Sequence, residues 1–227
     1  MAYRKIVSAM ICLAVTLALS VTALAGNPSV TTTDNGRVTI ISGPNAGGQA
    51  YVPEKSKLKV LFGNVGNKYP KGLYFCCYGG TISGPNSIIG AEYWEAAGFV
   101  ATSDAVVKRV KVGAGYVTGS FTDLIMTFNE DNGGIPGNEL IHWQIGNLGT
   151  FGSCCIVGDR KDRDGVPIQA GKTYWVVLKT EHDSDIWAAW NFNSTDQIDP
   201  IPTAFAQDGV WQGYLGVPGF SFQVSGQ

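Results

Sequence analysis

Along most of this chain apolar and polar residues alternate with period two, and no stretch of a dozen residues repeats apolar positions at helical spacing. The alternation predicts strands over residues 37–41, 58–62, 93–100, 106–117, 121–129, 139–146, 151–157, 173–180, 186–192, 209–214 and 219–224. In the fifth of these, Leu124, Met126 and Phe128 share one face while Asp123, Ile125 and Thr127 share the other. Gly, Pro, Asn and Asp punctuate the gaps. The predicted fold is therefore all-β, an antiparallel β-sandwich with jelly-roll-like connectivity.

Composition narrows the classes. Of 227 residues, 44% are hydrophobic and 15% charged, a balance that excludes a disordered chain and argues against a helical bundle. A formal net charge of −2 provides no basic field for nucleic acid or an anionic membrane surface, so nucleic acid is set aside as a partner. Residues 1–25 open with Arg4 and Lys5, run apolar from Ile6 to Leu19 and end in Ala23-Leu24-Ala25, the pattern of a secretory signal peptide cleaved before Gly26. That apolar run is shorter than the roughly 20 residues of a membrane span, and no later run reaches the length. The mature chain is expected outside the cytoplasm, with no transmembrane segment.

Residues 26–57 read as an N-terminal arm or edge strand, Thr-, Gly- and Asn-rich, with one strong β segment at 37–41. Such a segment completes its own sheet or adds to the open edge of a neighbouring molecule. Local concentration favours pairing within the chain, and self-assembly through the arm is the alternative. Residues 58–227 read as a single sandwich domain. Ile41-Ser42-Gly43-Pro44-Asn45 returns as Ile82-Ser83-Gly84-Pro85-Asn86, which is two turns of the same chemistry rather than a repeat architecture.

Cys12 leaves with the signal, and the remaining cysteines form two adjacent pairs, Cys76-Cys77 and Cys154-Cys155. In an exported chain an even count reads as disulfides. Bridges between the pairs, strained bridges within each pair, and free thiols or a four-thiolate metal site are the alternatives. A double bridge between pairs needs at least one pair on a turn, and Gly79-Gly80 together with Gly149 and Gly152 are read as supplying turns. A cross-link closing a loop of this size is worth about 4 to 5 kcal/mol in the chain-entropy model.

Several of these segments occur together in a known pattern. Tyr74-Phe75-Cys76-Cys77-Tyr78-Gly79, Thr81-Ile82-Ser83-Gly84, Gly115-Tyr116-Val117-Thr118-Gly119 and Asp131-Asn132-Gly133-Gly134-Ile135-Pro136-Gly137 make up its first half. Thr150-Phe151-Gly152-Ser153-Cys154-Cys155, Thr173-Tyr174-Trp175-Val176-Val177 and Trp187-Ala188-Ala189-Trp190-Asn191-Phe192-Asn193 follow. The set resembles the choice-of-anchor class of exported bacterial domains, most closely the R type, over about residues 58–224. The resemblance implies a β-sandwich at the bacterial surface or in the surrounding medium, without an assigned active site.

Candidate chemistry falls into three groups. For catalysis, His142 and His182 are the only histidines; neither sits in a hydrolase elbow or a zinc-protease helix, and no spacing places Glu92, Glu95 or Asp123 as a carboxylate pair. For a metal, Asn129 with Asp131 and Asp162 with Asp164 lie in Gly-containing stretches rich in oxygen ligands, so calcium is the one ion suggested; no organic cofactor is implied. For binding, aromatic rings stack on the apolar faces of sugars. Trp211 and Tyr78 are the better surface candidates. Trp187 and Trp190, three apart in one strand, face opposite sides, so at least one of them is core. These features predict a secreted, non-catalytic module that binds a glycan or another extracellular protein. A structural or assembly protein of the cell surface or matrix is the alternative, and a secreted hydrolase stands third.

Overall fold

The computed structural model describes residues 29–32, 38–41, 57–65, 74–120, 123–151, 157–193, 202–214 and 219–227, with backbone alone at 29–32, 38–41, 74–77 and 157–161. The signal segment and Cys154-Cys155 lie outside these residues. The described strands are β1 (Ser29–Thr32), β2 (Val38–Ile41), β3 (Lys59–Gly63), β4 (Tyr74–Ser83), β5 (Tyr93–Val100), β6 (Ala105–Val112), β7 (Ala114–Thr118) and β8 (Leu124–Asp131). They continue as β9 (Pro136–Ile145), β10 (Val157–Ile168), β11 (Thr173–Lys179), β12 (Trp187–Asn193), β13 (Thr203–Gln207), β14 (Val210–Tyr214) and β15 (Phe222–Gly226). Among the described residues no helix is long and apolar enough to cross a membrane.

The chain is an antiparallel β-sandwich. Its larger sheet runs β1-β2-β4-β5-β11-β8-β9, with β12 and β7 continuing from β4 and β13 and β14 continuing from β5. The smaller sheet runs β10-β6-β15-β3. Alternate residues of the two inner faces meet: Phe99, Phe128, Tyr174 and Val176 from the larger sheet pack with Val110, Val112, Phe222 and Val224 from the smaller. Phe62 stacks on Phe222 at 4.7 Å and Phe128 on Tyr174 at 5.6 Å. Burial of each such side chain contributes about 1.5 to 3 kcal/mol, which explains why the alternation was so plain in the sequence.

Four segments differ from the sequence reading, each for a local reason. Gly79-Gly80 is not a turn but lies inside β4, because a Cβ on Gly79 would meet the backbone of Trp190 and one on Gly80 would sit 2.7 Å from Phe220 Cζ. The expected strand at 106–117 breaks at Gly113 into β6 and β7, where Gly113 bonds Ser221 and Asn191. The 159–165 stretch, where no strand was expected, lies inside β10, with register breaks either side of Arg160 and Lys161; of the strand expected at 151–157 only the two end residues are among those described. A strand is also found where none was expected, at β13. Asp208 (φ 49°) and Gly209 (φ 80°) join it to β14 as a two-residue hairpin turn, the backbone twist that Asp-Gly adopts best. The arm's β2 pairs with β4 of the same chain, Ile41 opposite Tyr78.

Candidate functional site

Strand parity assigns two faces to the larger sheet. On β5, Ala97 and Phe99 point to the interior, so Trp94 and Ala96 point away from it. Register then builds an outer row: Trp211 opposite Ala206, which is opposite Trp94, followed by Lys179 opposite Ile125, which is opposite Gln144. Six strands at about 4.8 Å spacing make this row on the order of 24 Å long.

Part of the outer face is roofed. The turn between β8 and β9 folds back so that Ile135, with Trp211, packs on Ala96, Trp175, Val177 and Ala204. Trp175 is completely buried there, and its Nε1 donates to Asp131 Oδ1 at 2.8 Å. The same carboxylate accepts the Gly134 N–H at 3.2 Å, so one side chain fixes both the turn and the ring beneath it. Gly213 has no side chain to obstruct the roof; a Cβ there would lie 3.1 Å from Gly134 O.

The row beside the roof stays accessible. Trp94 and Trp211 are both half-buried, with ring centroids 6.1 Å apart and planes tilted by 54°. Lys179 Nζ lies 5.7 Å from the Trp94 ring and donates to Glu139 Oε2 at 3.2 Å. His142 Nδ1 meets Glu139 Oε1 at 2.7 Å. Burial pushes the Glu139 carboxyl up, but hydrogen bonds from His142 and Lys179, reinforced by their charge, outweigh it and hold the group below its ordinary value. At the far end Gln144 Nε2 donates to Asp123 Oδ2 at 3.2 Å, and both line a cleft of about 270 Å³ with Glu181, Asp183 and Ser184. A second polar cleft, of about 450 Å³, lies by Glu130, Asp131, Lys172 and Tyr174.

Of the aromatic candidates, Trp211 stands on this face and the other three do not join it. Trp190 is fully buried in the interior, stacked on Phe220 at 4.7 Å, with Nε1 donating to Ser221 O at 2.9 Å. Trp187 is buried on the opposite side of β12, a strand covered on both faces. Tyr78 packs edge-on against Phe192 at 4.8 Å.

The calcium candidates sit on two different sheets. Asn129 bonds Thr127 and the Gly137 carbonyl, and Asp131 is engaged as described. Asp162 accepts the Gly165 N–H. Next to it the backbone carbonyls of the exposed Arg163 and Asp164 accept from Lys108 Nζ at 2.7 Å each. Among the described residues no three His, Cys, Asp or Glu side chains converge as a metal site requires.

His182, almost fully exposed, stands 3.7 Å from Oε1 of the buried Glu92. Glu95 is buried on the inner face beside Gly80, and Asp123 lines the smaller cleft. Trp94 escaped the sequence reading because its partnership with Trp211 is made by the β13–β14 hairpin. The signal that marks that hairpin is Asp208-Gly209 between two short apolar runs. No protein-family model matches the chain, and no curated protein matches it.

Proposed function

We propose that this protein is an exported, non-catalytic β-sandwich module that binds a neutral glycan along the open row of the larger sheet's outer face. The single observation that carries this reading is the Trp94–Trp211 pair, two large half-buried rings side by side on a sheet face beside polar groups. An indole face takes the apolar side of a pyranose, while Lys179, Gln144 and the cleft carboxylates take its hydroxyls. Asp123, Glu181 and Asp183 line that cleft, an arrangement suited to hydroxyl donors and repellent to acidic sugars. Both oxygens of Glu139 are engaged by His142 and Lys179, which favours a positioning role over acid–base chemistry. The signal-like leader, the paired cysteines and the resemblance to choice-of-anchor domains support an extracellular setting.

A glycan array followed by calorimetric titration tests the proposal. The expected result is a hit among neutral oligosaccharides whose affinity falls at least about tenfold, or 1.4 kcal/mol, in Trp211→Ala and in Trp94→Ala. Trp187→Phe, altered on the far side of the fold's β12, should bind as before. An array without neutral hits, or a hit indifferent to both substitutions, overturns it.

A further inference from the structure

Strand β14 bonds to β13 along one side, and among the described residues no strand lies along its other side. The two-residue turn fixes which groups are left over. Gln207 and Val210 close the hairpin as a hydrogen-bonded pair, so Val210, Gln212 and Tyr214 direct their backbone groups to β13. Trp211 and Gly213 direct theirs outward, a donor and an acceptor each.

Most other open edges among the described residues carry protection that β14 lacks. Strand β9 bears Pro136, Glu139 and His142; β10 bears Asp162, Arg163, Asp164 and Pro167 and breaks register twice; β3 bears Lys59. The outer edge of β7 is occupied by the bridge from Tyr116 to Thr150. Strand β14 reads Val-Trp-Gln-Gly-Tyr, without charge or proline, and leaves Val210 65% exposed. Natural proteins shield strand edges with charge, proline or bulges unless the edge has a partner. Strand β1 is also uncharged, but its Ser-Val-Thr-Thr offers no aromatic side chain.

We propose that β14 is a contact between two copies of this chain, paired antiparallel about a two-fold axis through Gln212. In that register Trp211 of each copy faces Gly213 of the other, so the outward donors and acceptors meet in four backbone hydrogen bonds. Gln212 then faces itself in the closer, non-hydrogen-bonded type of pair, where side chains interact most. Joining the edges continues the larger sheet, and with it the Trp94–Trp211 row, from one copy into the next. The contact needs no ligand; it shares Trp211 with the glycan row, and its test leaves Trp211 unchanged.

Sedimentation velocity of the full chain over a concentration series tests this, because an interface of this size associates weakly. Wild type is expected to show a concentration-dependent dimer. Gln212→Lys and Gln212→Glu each place like charges opposite one another and should raise the dimer dissociation constant at least tenfold, with unchanged thermal unfolding. Mixing the two variants should restore the dimer, an outcome misfolding cannot imitate. A wild type that stays monomeric at every concentration overturns the proposal, as do variants that dimerise like wild type or a mixture that fails to recover.

Discussion

The interior of the sandwich and the outer face of the larger sheet share β5 and β11 as their floor, yet they are closed in different ways. Inside, a whole second sheet covers the floor, and Phe99, Phe128, Trp190, Phe220 and Phe222 interlock fully buried, with Phe62, Tyr78, Tyr116 and Trp143 partly buried around them. Outside, one turn and one ring do the covering. Ile135, the Asp131-held backbone and the inner side of the Trp211 ring bury Trp175, Ala96 and Ala204, and the cover ends there, leaving Trp94 and Trp211 half-buried. Tryptophan therefore has two roles in one fold, set by how far the covering element reaches: complete enclosure makes it core, and a margin makes it available to a ligand.

The contrast breaks most sharply at Trp190. Trp190→Ala is expected to cost about 3 to 5 kcal/mol in urea unfolding, since a fully enclosed ring leaves a cavity that two sheets cannot collapse. Gly80→Ala should cost about 2 to 3 kcal/mol in the same measurement, because the new methyl meets Phe220 and the Glu95 carboxylate inside the interior. On the outer face, Asp131→Ala strands the Trp175 N–H and frees the Gly134 turn; a loss of about 1 to 2 kcal/mol is expected, with a red shift in tryptophan emission as the roof loosens. A loss as large as that of Trp190→Ala would show that the turn closes its face as firmly as the second sheet does.

The smallest expected effect is on acid stability. Folding lowers the Glu139 carboxyl, so the stability it contributes is complete above the unfolded carboxylate value of about 4.3 and is lost as pH falls through the folded one. Melting curves of Glu139→Gln should accordingly fall less steeply than wild type across that acid window. An identical slope would place the acid sensitivity elsewhere.

The all-β class was legible because most strands bury one face, and Leu124, Met126 and Phe128 do so as the alternation implied. Strand β4 was not, because its glycines answer to the close approach of β12 and Glu95, distant in the chain. The pair Trp187 and Trp190 split between faces as a strand requires, but the sequence has no local mark that both faces of β12 are covered. Trp211 was legible as a candidate from its glycine-rich, polar neighbours. Trp94 was hidden in Tyr93-Trp94-Glu95-Ala96-Ala97, a run buried on both sides in which nothing but cross-strand register distinguishes the marginal ring. Functional margins are tertiary properties, so composition alone does not reveal them.

Strand β15 lies between β6 and β3 in the smaller sheet, and Phe222 N–H bonds Asn64 Oδ1 across 158 residues of chain. During synthesis β3 and β6 are made early and have no mutual partner until residues 222–226 arrive. Until then β6 has β10 as its neighbour in the smaller sheet, and β3 stands apart from both. Folding waits on one late pairing of high contact order. In that interval the unpaired edge of β3 is open to wrong partners.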